Sequence, residues 1–124
     1  MLQRILAGIG TGAALLLSAP AVVEAQMPQG KDVTIRGTVV DVTCKFMKGV
    51  SGSEHRRCGE LCAAAGLPLA ILGDDGKLYF PLGNEAGKPL PVDLKPHVDH
   101  KVTVKGKLFE TSGGQGIVIS SVSM

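Results

Sequence analysis

Tryptophan is absent and aromatic residues are scarce: Phe46, Tyr79, Phe80 and Phe109 are the whole complement of this 124-residue chain. A platform that stacks nucleobases needs several such rings, and there is little material for one. A surplus of charge is lacking as well. The formal net charge is +2, and a nearly balanced protein has no electrostatic footprint for a polyanion. Nucleic acid is therefore not an expected partner. No apolar run reads as the roughly 20 residues that carry a helix across a bilayer, so no transmembrane anchor is expected once the N-terminal segment is removed. Catalytic signatures are missing too. There is no G-x-S-x-G and no phosphate-binding loop, and Asp41 and Glu60 stand as single carboxylates without the second that a glycosidase-type acid/base pair requires. There is no C-x-x-C-H, so covalent haem attachment is not supported.

What is present begins with an export pattern. Met1 to Arg4 give a short positive start, Ile5 to Leu17 an apolar run, and Val23-Glu24-Ala25 a small-residue cleavage point, so residues 1–25 read as a signal peptide. No cysteine follows that point and no Arg-Arg pair precedes the run, which argues against a lipid anchor and against the twin-arginine route. A periplasmic or secreted protein is expected. Residues 26–32, with Pro28 and Gly30, read as a flexible leader, and 33–124 as a single domain, since the 99 residues after cleavage suffice for one core and not two.

Within that domain Val33, Ile35, Gly37 and Val39 alternate with Thr34, Arg36 and Thr38, the period-two pattern of a half-buried strand. Gly37 offers a bulge or a tight bend, and the switch of alternation at Val40 and Val42 fits a long strand bending around a small barrel. Leu67 to Leu72 and Lys77 to Leu82 flank Asp74-Asp75-Gly76, a hairpin signal. Gly83 to Pro91 reads as loop, and Val92 to Val98 as a connector with a short helical turn around Leu94, limited by Pro96. Lys101 to Leu108 and Gly116 to Val122 supply two more strands around a turn at 111–116.

Five strands, a long excursion after the first and a helical connector before the fourth describe a mainly β protein: a five-stranded OB-type barrel with a Cys-containing helical insert between strands 1 and 2. The segments IRGTVVDVTC, HRRCGELCAAAGLPLAIL, DDGKLYF and HKVTVKGKLFE resemble the small exported OB-fold proteins of bacteria, with D-x-x-C followed by H-x-x-C-x-x-x-C as the more distinctive part. The resemblance implies the fold and no particular ligand.

The chemistry-bearing residues lie in the insert. An odd number of cysteines, Cys44, Cys58 and Cys62, leaves at least one thiol without an internal disulfide partner. Ser51 and Ser53 can cap a helix that Gly66 and Pro68 stop, so a helix is predicted from about Glu54 to Ala65. On it His55, Cys58 and Cys62 fall within roughly 60° of one another, turned toward the barrel and toward Cys44 at the end of the first strand. Cys44, Cys58 and Cys62 form a candidate metal site. His55 is an accessory ligand, since about 10.5 Å of helix axis separates it from Cys62. Thiolate donors select Zn or Cu(I) over Ca or Mg.

A different outcome is a disulfide from Cys44 to Cys58 or Cys62, stapling the insert to the barrel and leaving one thiol buried or redox-active. In that case the domain is a non-catalytic interaction module for a protein or a small ligand. His97 and His100, in H-x-x-H, read as exposed connector residues, and Met27, Met47 and Met124 are weaker copper donors.

Overall fold

A computed structural model describes residues 29–124, together with Gly8, Gly10 and Gly12. The signal-peptide reading and residues 26–28 of the leader therefore lie outside the described residues. Strand β1 spans Lys31–Asp41 and is followed at once by helix α1, Val42–Lys48. A 3₁₀ turn at Ser53–His55 leads into helix α2, Arg56–Ala64. Strands β2 (Leu69–Gly73) and β3 (Leu78–Pro81) come next, then a 3₁₀ turn at Lys95–His97, then β4 (Lys101–Thr111) and β5 (Gly114–Ser123).

The strands close a barrel in the order β1-β2-β3-β5-β4. All neighbours are antiparallel except β3 and β5, which pair in parallel through Tyr79↔Gln115 to Pro81↔Ile117. The expected five-stranded OB-type barrel with a helical insert between strands 1 and 2 is the fold observed.

Local sequence explains most of it. In β4, Val102 and Val104 are buried and Lys101, Lys105 and Lys107 are exposed, and in β5 Ile117 and Ile119 point the same way as the β4 valines. They meet Ile35, Val39, Ile71, Tyr79 and Leu94 in one core, where each fully buried aliphatic side chain contributes about 1.5–3 kcal/mol. The β2–β3 hairpin turns at Asp74-Asp75-Gly76, and Tyr79 Oη donates to Asp75 Oδ2 at 2.6 Å across it. That bond, with burial, pushes the Tyr79 phenol up to about 12.

Four expectations need correction. The first strand begins before Val33, because Lys31 and Asp32 already pair with Leu108 and Lys107. Gly37 makes no bulge: register runs unbroken through it, and its bare α-carbon instead lets the Leu72–Gly73 backbone pass close by. The register shift of the barrel falls between Lys105 and Gly106. Finally, the chain does not remain extended to Cys44. It turns helical at Val42 because the Asp41 side chain accepts a hydrogen bond from Cys44 N at 3.3 Å and caps α1, which ends at Gly49.

The irregular alternation at the end of β1 has a packing cause. Val39, Val40 and Asp41 are all buried, since the barrel core covers one face and the insert the other. Ala63 of α2 is buried as well, outside the central cluster. The closest approach is made by Gly59, where a Cβ would strike the Asp99 carboxylate and press on Val98. Gly59→Ala is expected to lower stability by about 1–3 kcal/mol through overpacking, read as a fall in the urea midpoint with an unchanged slope. An unaltered midpoint would show that α2 is free to shift.

Candidate functional site

The site is built where β1 hands over to α1. Asp41 is both the last residue of β1, paired with Leu69, and the N-cap of α1, so its carboxylate is held at the barrel wall. Cys44 lies in the first turn of α1, above that carboxylate. Cys62 reaches the same place from the last turn of α2. One carboxylate oxygen of Asp41 and the sulfurs of Cys44 and Cys62 all lie within 4.8 Å of one another.

Asp41 is 1 % exposed, and its Oδ2 has no hydrogen-bond partner. A buried carboxylate oxygen left unpaired is costly, and the side chains beside it are the thiols of Cys62 and Cys44. The carboxyl nevertheless titrates below its ordinary range. Burial acts to raise it, but the neighbouring thiols of Cys62 and Cys44 and the backbone N–H groups of Cys44 and Thr43 outweigh burial. The carboxylate acts on the thiols in the opposite sense. Cys44 is raised, first by its contact with Asp41 and then by burial and charge, and Cys62 is pushed up to about 12 by the same causes. With no cation present both thiols stay protonated at neutral pH, so neither is an activated nucleophile.

All three cysteines are free. Cys44 and Cys62 stand 4.2 Å apart, far beyond the roughly 2.05 Å of a disulfide. By comparison, two sulfurs on one metal at about 2.3 Å are separated by about 3.8 Å in tetrahedral and about 4.0 Å in trigonal coordination. The spacing is close to that of a shared ion and far from that of a covalent bond.

Of the four residues singled out in the sequence, Cys44 and Cys62 come together. Cys58 is exposed, and neither it nor His55 is among the donors that lie within 4.8 Å of one another. The cause is the rotation of α2. Its barrel face carries Gly59 and Ala63, not the stripe through Cys58 and Leu61. Hydrophobicity cannot reveal this, because the contact is made by a glycine.

His55 has another task. Its Nδ1 donates to Asp99 Oδ2 at 2.8 Å, while Asp99 Oδ1 accepts from Gly52 N at 2.8 Å. Arg56 Nε donates to the Asp99 carbonyl at 3.3 Å, and Asp99 N donates to Val39 O at 2.6 Å. The side chain of Asp99 is fully buried, and its positive φ of 58° is one that Asp tolerates better than most residues. A carboxylate from the connector therefore fastens the insert to the barrel, the task that the alternative reading gave to a disulfide staple. The imidazole also borders a cleft lined by Lys45, Gly49, Val50, Ser51 and Glu54.

Two residues were missed in the sequence. For Asp41 a signal existed: D-x-x-C is the spacing of an N-cap residue and the helical position it serves. For Asp99 there was none, since its partner His55 is 44 residues away. His97 and His100 join no group of three or more potential ligands among the described residues. Among these residues, too, no helix is long and apolar enough to cross a membrane. Compared with known proteins, the chain matches no family model, no curated protein and no solved structure.

Proposed function

We propose that this protein is a small exported OB-barrel that holds one thiophilic metal ion, Zn²⁺ or Cu(I), between Asp41, Cys44 and Cys62. The observation that carries the reading is the buried, unpartnered Asp41 Oδ2 beside two thiols brought in on separate helices. A cation supplies the missing partner and replaces the protons of both thiols, giving a site of two sulfurs and one oxygen. Such a set favours soft or borderline ions and disfavours Ca²⁺ and Mg²⁺, which require six or more oxygens or an octahedron of them. Enzymatic chemistry is not part of the proposal.

Titration of the reduced protein with Zn²⁺ against a chromophoric chelator is the test. One ion per chain is expected, with Cys44→Ser and Cys62→Ser each weakening uptake at least about tenfold and leaving the barrel's circular dichroism unchanged. Stoichiometric binding that survives the double replacement overturns the reading. Export is proposed from residues 1–25 alone, and a mature chain beginning near Gln26 is the expected result of N-terminal sequencing.

A further inference from the structure

We infer that the ion joins two copies of the chain, with Cys58 of each copy completing the coordination of the other's ion. The inference rests on the ion-binding reading above and names the partner of that same site. Asp41, Cys44 and Cys62 fill three positions, and a tetrahedral ion has a fourth. The remaining thiol of the chain is Cys58, exposed on α2. It cannot reach its own site by a roll of the helix, because Gly59, the next residue, is seated against Asp99 and Val98. Rolling Cys58 inward lifts that contact and strains the His55–Asp99 bond.

The surroundings of the site indicate what covers it. Phe46, Met47 and Leu61 are 69 %, 78 % and 67 % exposed, and among the described residues only the terminal Met124 is comparable. They stand two and three residues after Cys44 and one before Cys62. Side chains of this size left in water around a pair of ligands favour a protein surface that removes them from it. The exposed charges on this part of the insert are of both signs: Glu54 and Glu60 beside Lys48, Arg56 and Arg57. An anionic membrane selects basic residues alone, whereas a mixed face is complementary to itself across a two-fold axis. In such an isologous pair each contact occurs twice, so one Cys58 serves each ion. Every thiol then has a use, and the odd cysteine count becomes even in the assembly.

Sedimentation velocity of the full reduced chain with Zn²⁺ alone tests this. A monomer is expected without the ion, and a dimer carrying one ion per chain with it. Cd²⁺ in place of Zn²⁺ reports the number of thiolates through its sulfur-to-metal absorption: three per ion in the wild type and two in Cys58→Ser, which is expected to keep its ion and remain monomeric. Leu61→Lys, at an exposed position, is expected to weaken dimerisation at least about tenfold and to reduce the absorption to the two-thiolate level at low protein concentration. An ion-bound monomer, with either two or three thiolates, or a dimer indifferent to Cys58→Ser, overturns the second-copy assignment and leaves ion binding intact. A wild-type chain that takes up no ion overturns both.

Discussion

An Asp41→Asn chain is expected to lose affinity for the ion and to gain thiol reactivity at the same time. Asn is as good an N-cap as Asp, so α1 and its bond from Cys44 N are retained. What disappears is one negative charge between two sulfurs. That carboxylate is the first cause of the raised thiol in Cys44 and of the rise in Cys62 from 9.0 to about 12. Its removal brings both back toward ordinary values, and the thiolate fraction at pH 8 grows accordingly. Iodoacetamide labelling of Cys44 and Cys62, followed peptide by peptide, is expected to accelerate at least about tenfold, with the exposed Cys58 as an internal standard whose rate stays level. Ion affinity is expected to fall at least about tenfold in the same protein. Unchanged labelling of the two site thiols would remove Asp41 from control of the site.

Asp99→Ala is expected to produce the largest loss of stability of any single replacement at the contact between the insert and the barrel. It leaves the Gly52 N–H and the His55 imidazole unsatisfied at a nearly water-free contact, and it places alanine at a φ of 58°. Removing one partner of such a buried charged arrangement costs on the order of 3–5 kcal/mol, and in a domain of this size each kcal/mol moves the melting temperature by about 4–8 °C. A drop of more than about 10 °C by differential scanning calorimetry is the expected reading. Asp99→Asn keeps the backbone conformation and one acceptor, so its loss is expected to be smaller, with His55 driven to the other tautomer to accept from the new amide. A wild-type melting temperature in Asp99→Ala would mean that the insert is held by its apolar contacts alone.

The two residues tested in this way differ in how far the sequence announces them. The barrel strands are legible because alternation is local: Val102, Val104 and their lysine neighbours declare two faces without reference to any other segment, as does the Asp-Gly hairpin. Helix α1 is hidden by its first residues, Val42 and Thr43, whose β-branched side chains read as a continuation of the strand. The capping side chain of Asp41 overrides that preference. The orientation of α2 is hidden for a different reason. Leu61 and Ala65 suggest an apolar face, yet the face in use is the one that permits the closest approach of backbone to carboxylate. Two of the three members of the candidate site, Cys44 and Cys62, follow from the cysteine pattern, and its acidic third member follows from cap geometry. The anchor at Asp99 depends on a pairing between distant segments that forms only when the barrel closes.

Asp41 is at once the last rung of the β1–β2 ladder, opposite Leu69, and the first anchor of the helix that carries Cys44. No hinge lies between barrel and site, and so the two share one mechanical fate. On the ion-binding reading proposed above, an ion on Asp41 pulls on the seam between adjacent staves of the barrel, and its binding free energy is added to the resistance of the whole domain to unfolding, growing with the logarithm of free ion concentration. Such a molecule is, on the proposed reading, durable where the ion is plentiful and fragile where it is scarce.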